Sequence, residues 1–283
     1  MPLRYWVVVV ARNAAKTITN TIGSLIHQTI QPTKIVVVDD GSTDETHEIL
    51  SAYSQKHQQI AVIVRPNKGY DIRRVPTNIN LSLQSNTELE TDYTMISGDD
   101  CEYPIDYCES VMRAMAQNPR LVVASGHPSQ FGLEKYEHTP SGSGRVIKTM
   151  FLKEIGFKFP VKAGWEAWLL YEASQSGYQT KLLRGISYIH VRPRGTTHAF
   201  TYWGAAMYTL GYHPLYAMGR ITKNVAGDSL RASIGLLRGY LTAKIGSSDP
   251  FLNPFEPSFR SFVYKQQSRE ISRVISKRLK IIR

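Results

Sequence analysis

Several features that would each decide a protein's class are scarce in this chain. Two cysteines in 283 residues, Cys101 and Cys108, are too few for a disulfide framework. Their Cys-x6-Cys spacing has no second Cys/His pair beside it, so a zinc site is not expected and both read as free thiols. The longest strongly apolar run, Tyr5 to Ala11, is far shorter than the roughly 20 residues that span a bilayer. Met1-Pro2-Leu3-Arg4 leads straight into that run, without the longer apolar segment and cleavage site of a secretory leader, so a cytoplasmic protein is expected. There is no internal repeat, no DNA- or RNA-binding motif, and no lysine-ended glycine loop of the kind that cradles a triphosphate.

Acidic residues are also scarce toward the C-terminus. Residues 219–283 hold 13 Lys/Arg against 4 Asp/Glu, a balance of +9, which leaves +2 of the net +11 for the body. A nearly neutral body with a basic tail argues against a broad nucleic-acid groove, and no nucleic-acid partner is expected.

The first 125 residues alternate short β-branched runs with helical patterns. Val7–Val10, Ile35–Asp39, Ala61–Arg65, Tyr93–Ser97 and Leu121–Ala124 are strand candidates. Continuous apolar runs separated by helices indicate strands buried on both faces of a parallel sheet. Ile18, Ile22, Leu25 and Ile26 form one helical stripe, and Ile49, Leu50 and Tyr53 a second. Ser42-Thr43-Asp44-Glu45 has the pattern of a capping box at the start of the second helix. Pro104 marks the start of a further helix with Val111 and Met115 on its buried face, and residues 126–144, rich in Gly, Ser, Pro and His, read as a loop. Trp165 to Gln175 reads as a helix ended by Gly177, and Thr180 to His190 includes another strand. The expected fold is α/β, a Rossmann-like, mostly parallel sheet flanked by helices over residues 1–215, with a basic helical extension over 216–283.

Two acidic pairs, Asp39-Asp40 and Asp99-Asp100, follow strand candidates. Either pair alone reads as turn or capping aspartates. Together they sit at strand ends, where open α/β sheets bind ligands.

Four segments carry a family likeness: Val7-Val8-Val9-Val10-Ala11-Arg12-Asn13; Val36-Val37-Val38-Asp39-Asp40-Gly41-Ser42-Thr43-Asp44; Ser97-Gly98-Asp99-Asp100; and Trp165-Glu166-Ala167 followed by Gly177-Tyr178. On these residues the chain resembles the family-2 glycosyltransferases, which have the A-type nucleotide-sugar fold, from Val7 to roughly His190. The resemblance implies that Asp40, helped by Asp39, contacts the nucleotide base. It places Ala11, Arg12 and Asn13 against the nucleoside, with Arg73, Arg74 or Asn78 approaching from the next loop. The family's Asp-x-Asp motif falls on Ser97-Gly98-Asp99, which makes Asp99 the principal ligand for magnesium or manganese, with Asp100 assisting or capping the next helix. His190 would complete the metal shell or meet the diphosphate, and Arg192 and Arg194 would neutralise it. Glu166 stands at the place where the family carries its catalytic acidic residue and would act as the general base. Many relatives follow that residue with Asp, where this chain has Ala167. Trp165 would stack on an acceptor sugar or belong to the core.

In the last 25 residues Ile271, Val274, Ile275, Leu279 and Ile282 form an apolar stripe among Arg269, Arg273, Lys277 and Lys280. Leu230, Ile234, Leu237, Leu241 and Ile245, with Arg231, Arg238 and Lys244, repeat the pattern. Both suit a helix lying on an anionic membrane surface, or one packed on the catalytic domain or on a second subunit with a solvated basic side. The function expected is an inverting, metal-dependent transfer of a sugar, with a UDP-sugar donor favoured, to a hydroxyl of a glycan or lipid-linked acceptor. The alternatives are a polyprenyl-phosphate sugar synthase, nucleotidyl transfer, and a non-catalytic nucleotide- or glycan-binding relative.

Overall fold

The computed structural model describes residues 3–129, 139–192, 197–227 and 230–281. The chain divides into two compact units, Met1–Pro160 with Ser176–Pro193, and Val161–Gln175 with Arg194–Arg283.

The first unit is built on an eight-stranded sheet. Its strands are β1 (Tyr5–Ala11), β2 (Ile35–Asp39), β3 (Ile60–Val64), β4 (Tyr93–Ser97), β5 (Cys101–Glu102), β6 (Leu121–Pro128), β7 (Arg145–Lys148) and β8 (Gln179–His190), in spatial order 3-2-1-4-7-6-8-5. β1 is parallel to β2 and β4, β2 to β3, and β6 to β8, whereas β7 runs antiparallel between β4 and β6. The β-branched runs are buried along β1 and β2 because helices cover the sheet, so no polar face is needed. Helix α1 (Ile18–Ile26) buries Ile18, Ile22, Leu25 and Ile26, as their spacing requires. Helix α2 (Thr46–Lys56) buries Leu50, α3 (Arg74–Gln84) buries Ile79 and Leu83, and α4 (Tyr107–Ala116) buries Val111 and Met115.

Four expectations change. Ser42 and Glu45 do not form a capping box: Ser42 bonds to Asp39 and Asp44 accepts from the Thr46 N–H, so the turn is held from its own aspartates. The helix expected at Pro104 begins at Tyr107, whose N–H bonds to the Pro104 carbonyl after the short strand β5 intervenes. Gly126 to Pro128, expected as loop, continue β6, with His127 and Pro128 opposite Ser187 and Tyr188 of β8, and β7 follows a turn at Ser143-Gly144. This is long-range pairing overriding a loop-like composition. Residues 130–138 of that expected loop lie outside the described residues. Finally, Arg74 and Asn78 stand on helix α3 rather than on a loop.

The second unit is helical: α6 (Trp165–Gln175), α7 (Thr197–Thr209), α8 (Pro214–Gly227), α9 (Leu230–Ile245) and α10 (Pro257–Ile281); α5 (Thr149–Glu154) belongs to the first unit. Phe251, Phe255, Phe259 and Val263 close its core against Ala163, Ala205, Ala206 and Leu210. The units follow packing, whereas the boundary at 216 follows charge. Val274 and Ile275 of the C-terminal stripe are exposed, and Ile282 lies outside the described residues. None of the described helices is long and apolar enough to cross a membrane.

Candidate functional site

Because β1, β2 and β4 are parallel, their carboxyl ends share one edge, with Ala11 opposite Asp39 and Val9 opposite Ser97. The strand order reverses at β1, where β2 and β3 run off one side and β4 the other. That is the crevice in which open α/β sheets hold ligands.

On the β2 side, Asp39 and Asp40 divide the work. Asp39 is buried and its Oδ1 accepts from the Ser42 N–H at 2.9 Å and the Ser42 hydroxyl at 2.6 Å, while Oδ2 lies 3.6 Å from His47 Nδ1. It builds the turn. That turn requires Gly41, whose φ is +70° and whose added Cβ would stand 2.5 Å from the Asn67 backbone. Asp40 points elsewhere: its Oδ2 accepts from Arg74 Nε at 3.0 Å and Nη2 at 2.8 Å, and its Oδ1 takes no hydrogen bond from any described residue. Asn78 lies one helical turn after Arg74, so the two share a face of α3. Both polar atoms of the buried Asn78 side chain lack partners among the described residues, a burial that costs about 1–3 kcal/mol.

Arg12 ties the two acidic ends together. Its N–H donates to Asp99 Oδ2 at 3.0 Å, and its guanidinium donates to the carbonyls of Asp40 and Gly41 and, at 2.9 Å, to Asn67 Oδ1. Asn13 adopts a left-handed φ of 48° and anchors the same turn through Ser42 Oγ and the Thr43 N–H. Ala11 is buried in the core, with its carbonyl accepting from the Asp40 N–H.

On the β4 side, the pairing of β5 with β8 places Cys101 opposite His190, and so sets Asp99 and Asp100 beside His190 and Arg192. Arg192 bridges the pair: Nη2 bonds to Asp99 Oδ1 and Nε lies 3.2 Å from Asp100 Oδ2. His190 Nε2 is 3.7 Å from Asp100 Oδ1, and its Nδ1 is 2.9 Å from the Arg192 carbonyl oxygen. Burial lifts the Asp99 carboxyl to about 6, outweighing the pull of the Arg192 guanidinium. Gly98 permits this crowding, since an added Cβ would stand 2.9 Å from Asp100 Oδ1. Ser97, where the family motif has aspartate, is buried with its hydroxyl on Tyr103 OH at 2.9 Å and the Gly98 carbonyl at 2.8 Å, facing protein rather than a cation.

Two carboxylates that converge on one guanidinium can also converge on one divalent cation, and oxygen donors suit magnesium and manganese. Oxygen donors of Asp99 and Asp100 suit such an ion in kind, with His190 beside Asp100, while the Asp99 carboxylate lies outside the tightest grouping of ligand atoms. Cys101 completes a cluster in which ligand atoms of Asp100, Cys101 and His190 lie within 4.8 Å of one another. Its soft thiol, pushed up to about 12 first by burial and then by Asp100, is a poor ligand for a hard cation. Cys101 was invisible as a neighbour in sequence, because the antiparallel β5–β8 pairing brings it to His190 across 89 residues.

The second unit carries Glu166 in the first turn of α6. The turn before it is fixed by Gly164, whose φ is +91° and whose N–H donates to Tyr202 OH at 3.1 Å. Leu210 and Ala206 close over that glycine, with Leu210 2.8 Å from where a Cβ would sit. Trp165 is buried in this unit, which leaves little ring surface for a sugar. Arg194 lies outside the described residues.

A mostly parallel sheet with reversed strand order and acidic residues at the strand ends on both sides of the reversal defines an α/β protein with its ligand crevice at that reversal. The chain belongs to glycosyl transferase family 2, whose family model matches residues 6–177. It is 36% identical over 63 residues to glycosyltransferase GlyG of Streptococcus pneumoniae, which is 22% of this chain and 21% of that protein. It is 37% identical over 59 residues to chondroitin synthase of Escherichia coli, 21% of this chain and 9% of that one. The matched stretches are thus a minor part of both relatives. Among solved structures, mannosyltransferase PcManGT from Pyrobaculum calidifontis, in complex with GDP-Man and Mn2+, superposes with a TM-score of 0.60 at 16% identity over 88% of this chain and 77% of its own. Residues 1–349 of S. aureus TarS, in complex with UDP-GlcNAc, give 0.53 at 19% identity over 72% and 65%. These likenesses identify the fold as the A-type glycosyltransferase fold.

Proposed function

We infer that this chain is an inverting, metal-dependent glycosyltransferase that moves a sugar from a nucleoside-diphosphate sugar, with uridine the favoured nucleoside, to a hydroxyl of a glycan or lipid-linked acceptor. The observation that carries the reading is the division of labour along one sheet edge: a carboxylate at Asp40 with one oxygen unbonded among the described residues, and a pair of carboxylates at Asp99 and Asp100 that meet the Arg192 guanidinium across the strand reversal. Asp40 Oδ1 accepts the imide N–H of the base, while Arg74 holds the other oxygen and so fixes the carboxylate's plane.

Asp99 and Asp100, with His190, would hold a magnesium or manganese ion, which when bound neutralises the donor diphosphate. Arg192, the present partner of both carboxylates, turns to the phosphate oxygens, for which a guanidinium has matching geometry. Glu166 accepts the proton of the acceptor hydroxyl as that oxygen bonds to the anomeric carbon and the bond from that carbon to the diphosphate breaks. The nucleoside diphosphate leaves with the electron pair.

The test is Glu166→Gln. Turnover is expected to fall on the order of a thousandfold, with the donor-induced rise in melting temperature unchanged. Normal turnover in this variant would remove Glu166 from the mechanism. Release of nucleoside diphosphate from wild-type protein supports transfer, release of pyrophosphate would indicate nucleotidyl transfer, and donor binding without turnover would indicate a binding protein. If a polyprenyl phosphate proves to be the acceptor, its oxygen is already deprotonated and Glu166→Gln will retain most activity with that acceptor alone.

A further inference from the structure

Helix α9 has two faces that its sequence alone does not separate. Ala232, Ser233, Gly235, Leu236, Gly239 and Ala243 are buried. They form the side packed on α7 and α8: an added Cβ on Gly239 would stand 1.8 Å from the Thr201 carbonyl oxygen, one on Gly235 would stand 2.8 Å from Phe200 Cβ, and the Ser233 hydroxyl donates to the Ile221 carbonyl of α8. The opposite side carries Leu230, Ile234, Leu237, Leu241 and Ile245, each between 43% and 85% exposed. At about 100° per residue these five fall within an arc of about 80°. Arg231 and Arg238 lie just outside one edge of that arc and Lys244 just outside the other, all three exposed, and α9 contains no Asp or Glu. Five large apolar side chains left in solvent along four turns are not an ordinary scatter of exposed residues.

We propose that this face of α9 is a lipid-binding surface, lying flat in the headgroup region of an anionic membrane. The apolar arc enters the acyl boundary, and the rim cations stay at the level of the lipid phosphates with their aliphatic stems in the interface. A second copy of the chain is the poorer occupant. A two-fold contact between identical arcs would set the Arg231, Arg238 and Lys244 rims of both copies against one another with no acidic residue on either helix to offset them. The concentration of +9 in residues 219–283 adds to the attraction for a negative surface. The surface is independent of the transferase reading, because nothing in it involves the donor site.

The experiment is co-sedimentation of the full chain with vesicles of phosphatidylglycerol in phosphatidylcholine and with phosphatidylcholine alone. Wild-type protein is expected to pellet with the anionic vesicles and to partition at least tenfold less onto the neutral ones. Arg231→Gln with Arg238→Gln is expected to lower anionic partitioning by about fivefold per charge removed. Leu237→Ser with Leu241→Ser is expected to abolish it; both positions are solvent-exposed, and an unchanged melting curve confirms folding. Equal pelleting with both vesicle types, or partitioning that neither pair alters, would overturn the proposal. So would a solution dimer that Leu237→Ser with Leu241→Ser converts to monomer. Donor-induced thermal shift measured without vesicles stays at the wild-type value in these variants, which separates failure here from failure at the donor site.

Discussion

The two acidic strand ends look alike in sequence and differ in what holds them. At β2 the pair is divided: Asp39 is spent on its own turn through Ser42, and Asp40 is gripped on one oxygen by Arg74 and left open on the other. At β4 the pair is shared: Asp99 and Asp100 both face Arg192, a single cation from β8's far end. The first arrangement presents a directional hydrogen-bond acceptor. The second presents two carboxylates around one guanidinium. A base needs the former and a diphosphate with its metal needs the latter.

Three substitutions should pull these roles apart. The largest effect is expected from Asp99→Asn, which removes one of two carboxylates from the proposed cation site. Manganese affinity, read calorimetrically in the presence of donor, should fall about ten- to hundredfold, and an isotherm indifferent to chelator in both proteins would remove Asp99 from the metal site. The same variant should stabilise the unloaded protein. The folded carboxyl titrates at about 6, above the unfolded value of about 3.9. The folded state therefore binds more protons between these limits, and Asp99 subtracts stability as pH rises through them. In chelator, the melting temperature of Asp99→Asn minus that of wild type should grow from pH 4 to pH 6 and then level; a difference flat across that range would mean that burial does not dominate this carboxyl.

Asp39→Ala should behave in the opposite sense. It strips acceptors from the Ser42 N–H and hydroxyl and should cost about 1–3 kcal/mol in denaturant unfolding while leaving manganese affinity unchanged. The smallest effect is expected from Ser42→Ala, about 1 kcal/mol, and most of it should vanish in the Asp39→Ala background because the two share one network. Additive losses would show that Asp39 does more than hold its turn.

How much of this was legible in the sequence depends on distance along the chain. The strands β1, β2 and β4 and the stripe of α1 could be read because burial on both faces leaves a local pattern of residues, and β3 was displaced by one residue for want of a sharp boundary. The motif aspartates stood out because they follow strands. In the sequence Arg74 and Arg192 read as groups that meet the nucleoside and the diphosphate, and their pairing with these aspartates is not visible there. Arg74 reaches Asp40 only because α3 returns across the sheet edge, and Arg192 reaches Asp99 only through the two-residue strand β5. Ser97 was conspicuous as a departure from a metal motif, but its bond to Tyr103 depends on packing that no local pattern encodes. The stripe on α9 was visible as periodicity, while the fact that it faces solvent required the glycine-lined contact with α7 on the other side.

The central claim is that Asp40 recognises the base of a nucleotide-sugar donor. The most direct measurement is the thermal shift of wild-type protein and Asp40→Ala with UDP-sugars and GDP-sugars in manganese. Wild type should be stabilised by a UDP-sugar, by about 2.7 kcal/mol at a hundred times the dissociation constant, and Asp40→Ala should lose most of that response while its unloaded melting temperature stays within a few degrees. Equal stabilisation of the two proteins by the same donor would contradict the assignment.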